Sequence, residues 1–286
     1  MEIKERPKSL KNALKNRLSQ IEIKNLTRSF DIIGDIAVIE IPKLLEKKEK
    51  LIAQTLLDSH KNINVVCRKI GGHKGQLRIQ KYKFLAGENR KETEYKENNC
   101  RFRLNIEKTY FSPRLSNERK RIFQQIKPEE SILVMFSGIA PYPITISKNS
   151  KARMIVAIEL NKQAHKYAEQ NVRLNKLTNI TLYQGEVKNI VPKLKKYGKS
   201  IKFERIIMPL PKGAEDFLAT ALKASKKGTI IHFYDFEKED EFQKAEEKVK
   251  SACKKLKHDC RILRIVKCGQ NAPRFFRICV DFKVLN

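Results

Sequence analysis

Through its second half the chain alternates β-branched runs with helical patterns, and that rhythm leaves few folds open. Strand-like runs fall at 131–136, 154–160, 180–184, 203–208, 229–236, 260–266 and 275–284. Helical patterns separate them at about 115–126, 140–149, 161–175, 187–197, 213–225 and 238–257. The last is the clearest, with Phe242, Ala245, Val249, Ala252, Cys253 and Leu256 at helical spacing and Glu preceding Lys on the outer face. Strands joined by helices of this size pair in parallel, since a crossover is what brings the chain back to the same end of a sheet. The final pair differs: Gly269-Gln270-Asn271-Ala272-Pro273-Arg274 is too short for a helix and reads as a hairpin loop. The expectation is an α/β fold, a doubly wound sheet ending in an antiparallel hairpin, with ligands outside the carboxyl ends of its strands.

The first half reads as a smaller α+β domain over 21–115, ahead of the sheet domain over 116–286. Residues 1–20 carry six Lys/Arg against two Glu and few apolar side chains, and are expected to form a basic arm. Ile21-Glu22-Ile23 and the run from Ile32 to Ile41 read as strands, with Gly34-Asp35 as a turn. Pro42 then opens a helix whose stripe is Leu44, Leu45, Leu51, Ile52, Leu56 and Leu57. Short strands are expected at 63–67 and 76–82. Between them Gly71-Gly72-His73-Lys74-Gly75 reads as a mobile loop, because no Lys-Ser/Thr follows at phosphate-loop spacing.

Composition enters through charge. Sixty-one Lys+Arg against 32 Asp+Glu leave a formal charge of +29, which speaks to partners and points to a polyanion. Residues 68–91 hold Arg68, Lys69, Lys74, Arg78, Lys81, Lys83, Arg90 and Lys91 against Glu88, with Tyr82 and Phe84 interleaved. Such a set suits phosphate contact and stacking on an unpaired base. Arg101 and Arg103 flank Phe102 in strand alternation, so both face one side. No stretch approaches the roughly 20 apolar residues of a membrane span, and the first twenty residues show no secretory pattern. Six cysteines contain no C-x-x-C pair, so no metal site is expected and the thiols read as free. The expectation is a cytoplasmic, monomeric nucleic-acid-binding protein without a membrane partner.

At the carboxyl ends of the strands, the first run passes into Phe136-Ser137-Gly138-Ile139-Ala140-Pro141, a turn that lets backbone approach a ligand. The second ends in Glu159-Leu160, about 20 residues on, where a carboxylate accepts from ribose hydroxyls. Gln184-Gly185-Glu186 follows the third, and Met208-Pro209-Leu210-Pro211 the fourth. Seven strands ending in an antiparallel hairpin are the layout of the class I (Rossmann-like) S-adenosylmethionine methyltransferase fold.

Four blocks in order resemble the archaeal and eukaryotic tRNA (guanine-37-N1)-methyltransferases, from about residue 21 to the end. They are Phe30-Asp31-Ile32-Ile33-Gly34-Asp35-Ile36, the run Tyr110-Phe111-Ser112-Pro113-Arg114-Leu115-Ser116-Asn117-Glu118-Arg119, Met135-Phe136-Ser137-Gly138 and Met208-Pro209-Leu210-Pro211. The resemblance implies S-adenosylmethionine as methyl donor, the tRNA anticodon loop as partner and an N-terminal RNA-binding domain. It makes Glu118 the general base, Arg119 its active-site neighbour and Arg78 the arginine on guanine O6. Tyr110, Arg114, Phe136, Ser137, Gly138, Glu159, Leu160, Glu186 and Pro209 fall to the donor pocket. Members often carry a further tRNA-elbow-binding domain, which this chain is expected to lack.

The chemistry suits these residue types. Guanine N1 is protonated at neutral pH, so a carboxylate must take that proton while an arginine stabilises charge growing on O6. A surface ion pair is the plain alternative for Glu118-Arg119 read in isolation. The family usually has Asn where this chain has Pro209 and Gly where it has Ala140. A proline resembles the branch that also methylates C7 of 4-demethylwyosine at the same tRNA position. An aminocarboxypropyl transferase of wyosine synthesis and a non-catalytic tRNA-binding module remain as alternatives.

Overall fold

The computed structural model describes residues 9–27, 29–196 and 198–286 and divides them into two compact units. The first takes the described residues up to Lys96 together with Arg103–Pro113; the second takes Glu97–Phe102 and Arg114–Asn286.

The first unit opens with helices α1 (Leu10–Leu14) and α2 (Gln20–Asn25). The strand expected at Ile21-Glu22-Ile23 is thus helix. Ser19 and Glu22 form a reciprocal capping box, Glu22 accepting from the Ser19 backbone at 2.8 Å, and this local start signal outweighs β-branching. Nor do residues from Leu10 onward form a separate arm, because Leu10, Leu14 and Leu18 are buried in one core with Leu45, Ile52 and Leu56. The first eight residues of the expected arm lie outside the described residues.

Strands β1 (Asp31–Ile33) and β2 (Ile36–Ile39) form the expected hairpin, turned by Gly34 at φ 62°. A Cβ there would sit 2.1 Å from Thr93 Oγ1, so conformation and space both require glycine. A 3-10 turn at Lys43–Lys48 leads into α3 (Glu49–Ser59), which crosses to β3 (Val65–Lys74), parallel to β2. β4 (Ile79–Gly87) returns antiparallel, completing the order β1-β2-β3-β4. The glycines at 71 and 72 therefore lie within a strand, not a loop: they fall where the β3/β4 register shifts between Ile70 and Lys74, and the turn itself is 75–78. A hairpin the sequence reading passed over follows, β5 (Glu92–Glu97) and β6 (Cys100–Asn105). Its signal was present in Asn98-Asn99, which takes positive φ at both residues. Arg101 and Arg103 are exposed on either side of buried Phe102.

The second unit supplies α4 (Ser116–Phe123) and the alternating β7 (Ser131–Val134), α5 (Pro141–Asn149), β8 (Met154–Glu159), α6 (Lys162–Leu174), β9 (Ile180–Gln184) and α7 (Val187–Ile190). The helix expected over 187–197 stops early. A 3-10 turn carries Pro192, and the short ribbon β10 (Lys195–Lys196) and β11 (Lys199–Ser200) replaces its second half. β12 (Phe203–Met208), α8 (Leu218–Ala224), β13 (Ser225–Lys238), α9 (Gln243–Lys255), β14 (Cys260–Ala272) and β15 (Phe275–Val284) complete it.

The seven-stranded sheet runs β14-β15-β13-β12-β7-β8-β9. β13, β12, β7, β8 and β9 are parallel neighbours, and β15 is antiparallel to both β13 and β14. The order reverses beside β7, because β8 and β9 lie on one side and β12 and β13 on the other. Loops leaving β7 and β12 thus diverge and open a crevice. β13 outruns β12: its last pairing there is Phe233 with Met208, and 234–238 pair only with β15. Among the described residues no helix is long and apolar enough to cross a membrane.

Candidate active site

The sheet brings the ends of β12, β7, β8 and β9 side by side, and with them most of the expected donor-pocket residues. After β7 the backbone takes positive φ at Phe136 (55°), Gly138 (59°) and Ala140 (67°), winding tightly before α5. Two of these are not glycine, and each left-handed L-residue costs about 1–2 kcal/mol. The turn is held nonetheless: Ser137 N–H donates to Ile158 O at 2.9 Å, and Ala140 N–H to Ser137 O at 2.9 Å. Glu159, at the end of β8, closes it from the next strand. Its Oε2 accepts from Gly138 N–H at 2.6 Å and its Oε1 from Asn161 N–H at 2.7 Å. Burial pushes the Glu159 carboxyl up from its ordinary value, and those backbone donors pull against it.

Ser137 Oγ is buried with no hydrogen-bond partner among the described residues, so the turn carries an unmatched polar atom beside a half-buried carboxylate. Both match a ligand rich in hydroxyl and amino groups. Leu160 follows Glu159 directly and accepts from Gln184 Nε2 at 3.2 Å. Glu186 stands at the start of α7, and Pro209 follows β12 half-buried. Arg114 is exposed in a 3-10 turn, Pro113–Leu115.

Glu118, on α4, is not on a solvated face: 5 % of it is exposed. Its Oε1 accepts from the Tyr234 hydroxyl at 2.5 Å, and Arg121 grips both oxygens at 2.7 Å. Tyr234 lies one residue past the last β12–β13 pairing, so this contact ties the carboxylate to a residue level with the carboxyl end of β12. Tyr142 donates to the Tyr234 hydroxyl at 3.0 Å. Arg121 also binds Asp281 at 2.5 Å, and Asp281 in turn accepts from His232 Nδ1 at 2.5 Å and Arg264 Nε at 2.8 Å. Burial would raise the Asp281 carboxyl, but His232 and Arg121 hold it far below the usual carboxylate range, whereas burial pushes His232 down. His232, Cys279 and Asp281 bring ligand atoms within 4.8 Å of one another. Two guanidinium groups already occupy Asp281, which opposes a cation there.

Arg119 follows Glu118 on the same helix. It is 1 % exposed and forms a buried ion pair with Glu97, Nη2 to Oε2 at 2.6 Å. In the first unit Arg78 lies with its guanidinium 4.9 Å above the Tyr110 ring, at a turn residue with φ 52°. Tyr234, Arg121, Asp281 and Tyr142 escaped the sequence reading, and only the fold draws them to Glu118.

A class I sheet, a strained turn after its first strand and a half-buried acid closing that turn from the second define an S-adenosylmethionine-type methyltransferase. The chain belongs to the TRM5/TYW2 methyltransferase family, S-adenosylmethionine-dependent enzymes: residues 93–263 match the TRM5/TYW2 methyltransferase domain and residues 10–90 the TYW2 N-terminal domain. It is 36 % identical over 260 residues to the tRNA (guanine(37)-N(1))-methyltransferase Trm5b of Pyrococcus abyssi, covering 91 % of this chain and 76 % of that protein. It is likewise 36 % identical to the tRNA (guanine(37)-N(1))/4-demethylwyosine(37)-methyltransferase Taw22 of Nanoarchaeum equitans, across 90 % of this chain and 100 % of the relative. The solved complex of aTrm5 and tRNALeu superposes with a TM-score of 0.85 at 30 % identity, covering 100 % of this chain and 80 % of that one.

Proposed function

We propose that this protein methylates N1 of guanosine 37 in tRNA, binding the anticodon loop, with Glu118 as the general base. One observation carries the reading: a buried carboxylate is tied to a residue level with the carboxyl end of β12, held by a hydroxyl and a guanidinium. S-adenosylmethionine, when bound, supplies an electrophilic methyl group. Glu159, Ser137 and the Phe136–Gly138 backbone would hold it, Glu159 accepting from ribose hydroxyls. Glu118 takes the proton from N1, and that electron pair becomes the nucleophile. Arg78 is assigned to the negative charge that deprotonation places on O6. No step calls on a metal. Glu118→Gln should lower single-turnover methyl transfer to a G37 transcript by roughly 10²–10⁴-fold. Full activity in that variant would overturn the assignment.

Pro209 supports a second substrate. At the end of β12 it offers neither the side-chain amide nor the backbone N–H that would favour a small polar base. A bulkier, less polar base such as 4-demethylwyosine suits that wall, and the likeness to Taw22 over its whole length agrees. Offered tRNA bearing 4-demethylwyosine, the protein should add one methyl group by mass spectrometry. Intact N1 methylation with no added mass on that base would confine it to guanosine.

A further inference from the structure

Beyond the assignment of Glu118, on which this step rests, we infer that Tyr234 and the Arg121–Asp281 pair are positioning residues. They aim the Glu118 carboxylate and keep one lone pair open for the substrate proton.

A carboxylate offers about four lone-pair positions. Oε1 takes two donors, the Tyr234 hydroxyl at 2.5 Å and Arg121 Nη2 at 2.7 Å. Oε2 takes one, Arg121 Nε at 2.7 Å. Among the described residues the remaining acceptor position is therefore on Oε2, and the geometry assigns the N1 proton to it. In that step the N1–H bond breaks, its electron pair stays on N1 and the proton joins Glu118 Oε2.

The donors are themselves braced. Arg121 cannot swing away easily, because Asp281 holds Nη1 at 2.5 Å and Nη2 at 3.2 Å. Asp281 is fixed by His232 and Arg264, and His232 Nε2 lies 2.8 Å from Arg205 Nη1. The Tyr234 hydroxyl accepts from Tyr142, so its own proton is directed to Glu118. Arg121 thus has two carboxylates to choose between. When Glu118 becomes neutral on taking the proton, Asp281 remains as a full counter-charge, so the guanidinium is never stranded in a buried site.

The test compares Tyr234→Phe, Arg121→Lys and Tyr142→Phe with Glu118→Gln in the full-length protein. Readouts are single-turnover rate, KM for tRNA, S-adenosylmethionine affinity and melting temperature. Removing the Tyr234 donor lets the carboxylate turn out of its aimed geometry, so Tyr234→Phe should act on the rate of transfer and not on binding. Its rate should fall roughly 10–100-fold, the scale of a hydrogen bond to a charged group, with tRNA KM unchanged. Arg121→Lys keeps the charge but loses the fork, so the rate should fall with tRNA KM again unchanged. Tyr142→Phe removes the hydroxyl that directs the Tyr234 proton but leaves both Glu118 donors in place, so the rate should fall by less than in Tyr234→Phe. If Glu118→Gln abolishes transfer while Tyr234→Phe and Arg121→Lys leave the rate unmoved, or lower only the melting temperature, the positioning role is wrong. If Glu118→Gln stays active, the general-base reading fails instead.

Discussion

In the first unit, Arg68 bridges Glu46 and Glu49, Lys83 meets the same Glu49, and Arg90 meets Asp35 and Glu88, with part of each cation in water. In the second unit, Arg205 on Glu130 and Arg119 on Glu97 are 1 % exposed, and His232 and Asp281 are fully buried. Exposed pairs contribute about 0–1 kcal/mol, because water already solvates each partner. Buried ones cost so much desolvation that the loss of one partner is felt at about 3–5 kcal/mol. These pairs of the first unit are therefore surface features. The second unit has surface pairs as well, such as Lys250 on Glu246 and Lys267 on Glu239, but those around Arg205, Arg119 and Asp281 are internal architecture.

The sharpest challenge to that contrast is Asp281→Ala, which leaves Arg121, Arg264 and His232 without their shared acceptor. It should cost about 3–5 kcal/mol in urea denaturation; a loss below about 1 kcal/mol would erase the distinction between the units.

Asp35 tests the middle ground. Burial would raise its carboxyl, but hydrogen bonds from Arg90, Thr93 and Asn64 bring it down to about 2 from 3.8. A carboxyl depressed on folding contributes stability that is present above its unfolded value and lost as pH falls through its folded one. Stability should accordingly drop between about pH 4 and pH 2, and Asp35→Asn should flatten that part of an acid titration followed by circular dichroism. An unchanged slope would remove Asp35 from the acid response.

Lys83→Ala should do least. Its side chain is 53 % exposed, and Glu49 keeps Arg68, so the loss should stay within about 1 kcal/mol and shrink as salt rises. A larger, salt-independent effect would mean that charge in the first unit is structural after all.

These contrasts show where reading along the chain succeeds. Periodicity located the seven strands of the large sheet, because a half-buried element repeats its apolar pattern every few residues. It misjudged Ile21-Glu22-Ile23, where a capping box outweighed β-branching, and the glycines at 71 and 72, which a register shift absorbs within β3. It also overstated the positive stretch at 68–91. Arg68, Lys69, Lys83 and Lys91 meet Glu46, Glu49, Glu40 and Glu107, acids outside that window.

By itself the sequence determined the class of fold, the turn after the first strand of the large sheet, the acid on the second and the block containing Glu118. All are local patterns, set by spacing within one element or between neighbours. Only the tertiary structure decided what surrounds Glu118. Tyr234 lies 116 residues from it along the chain, and Asp281 lies 160 from Arg121. A carboxylate's behaviour depends on whichever donors the sheet brings within hydrogen-bond reach, and no periodicity links positions so far apart.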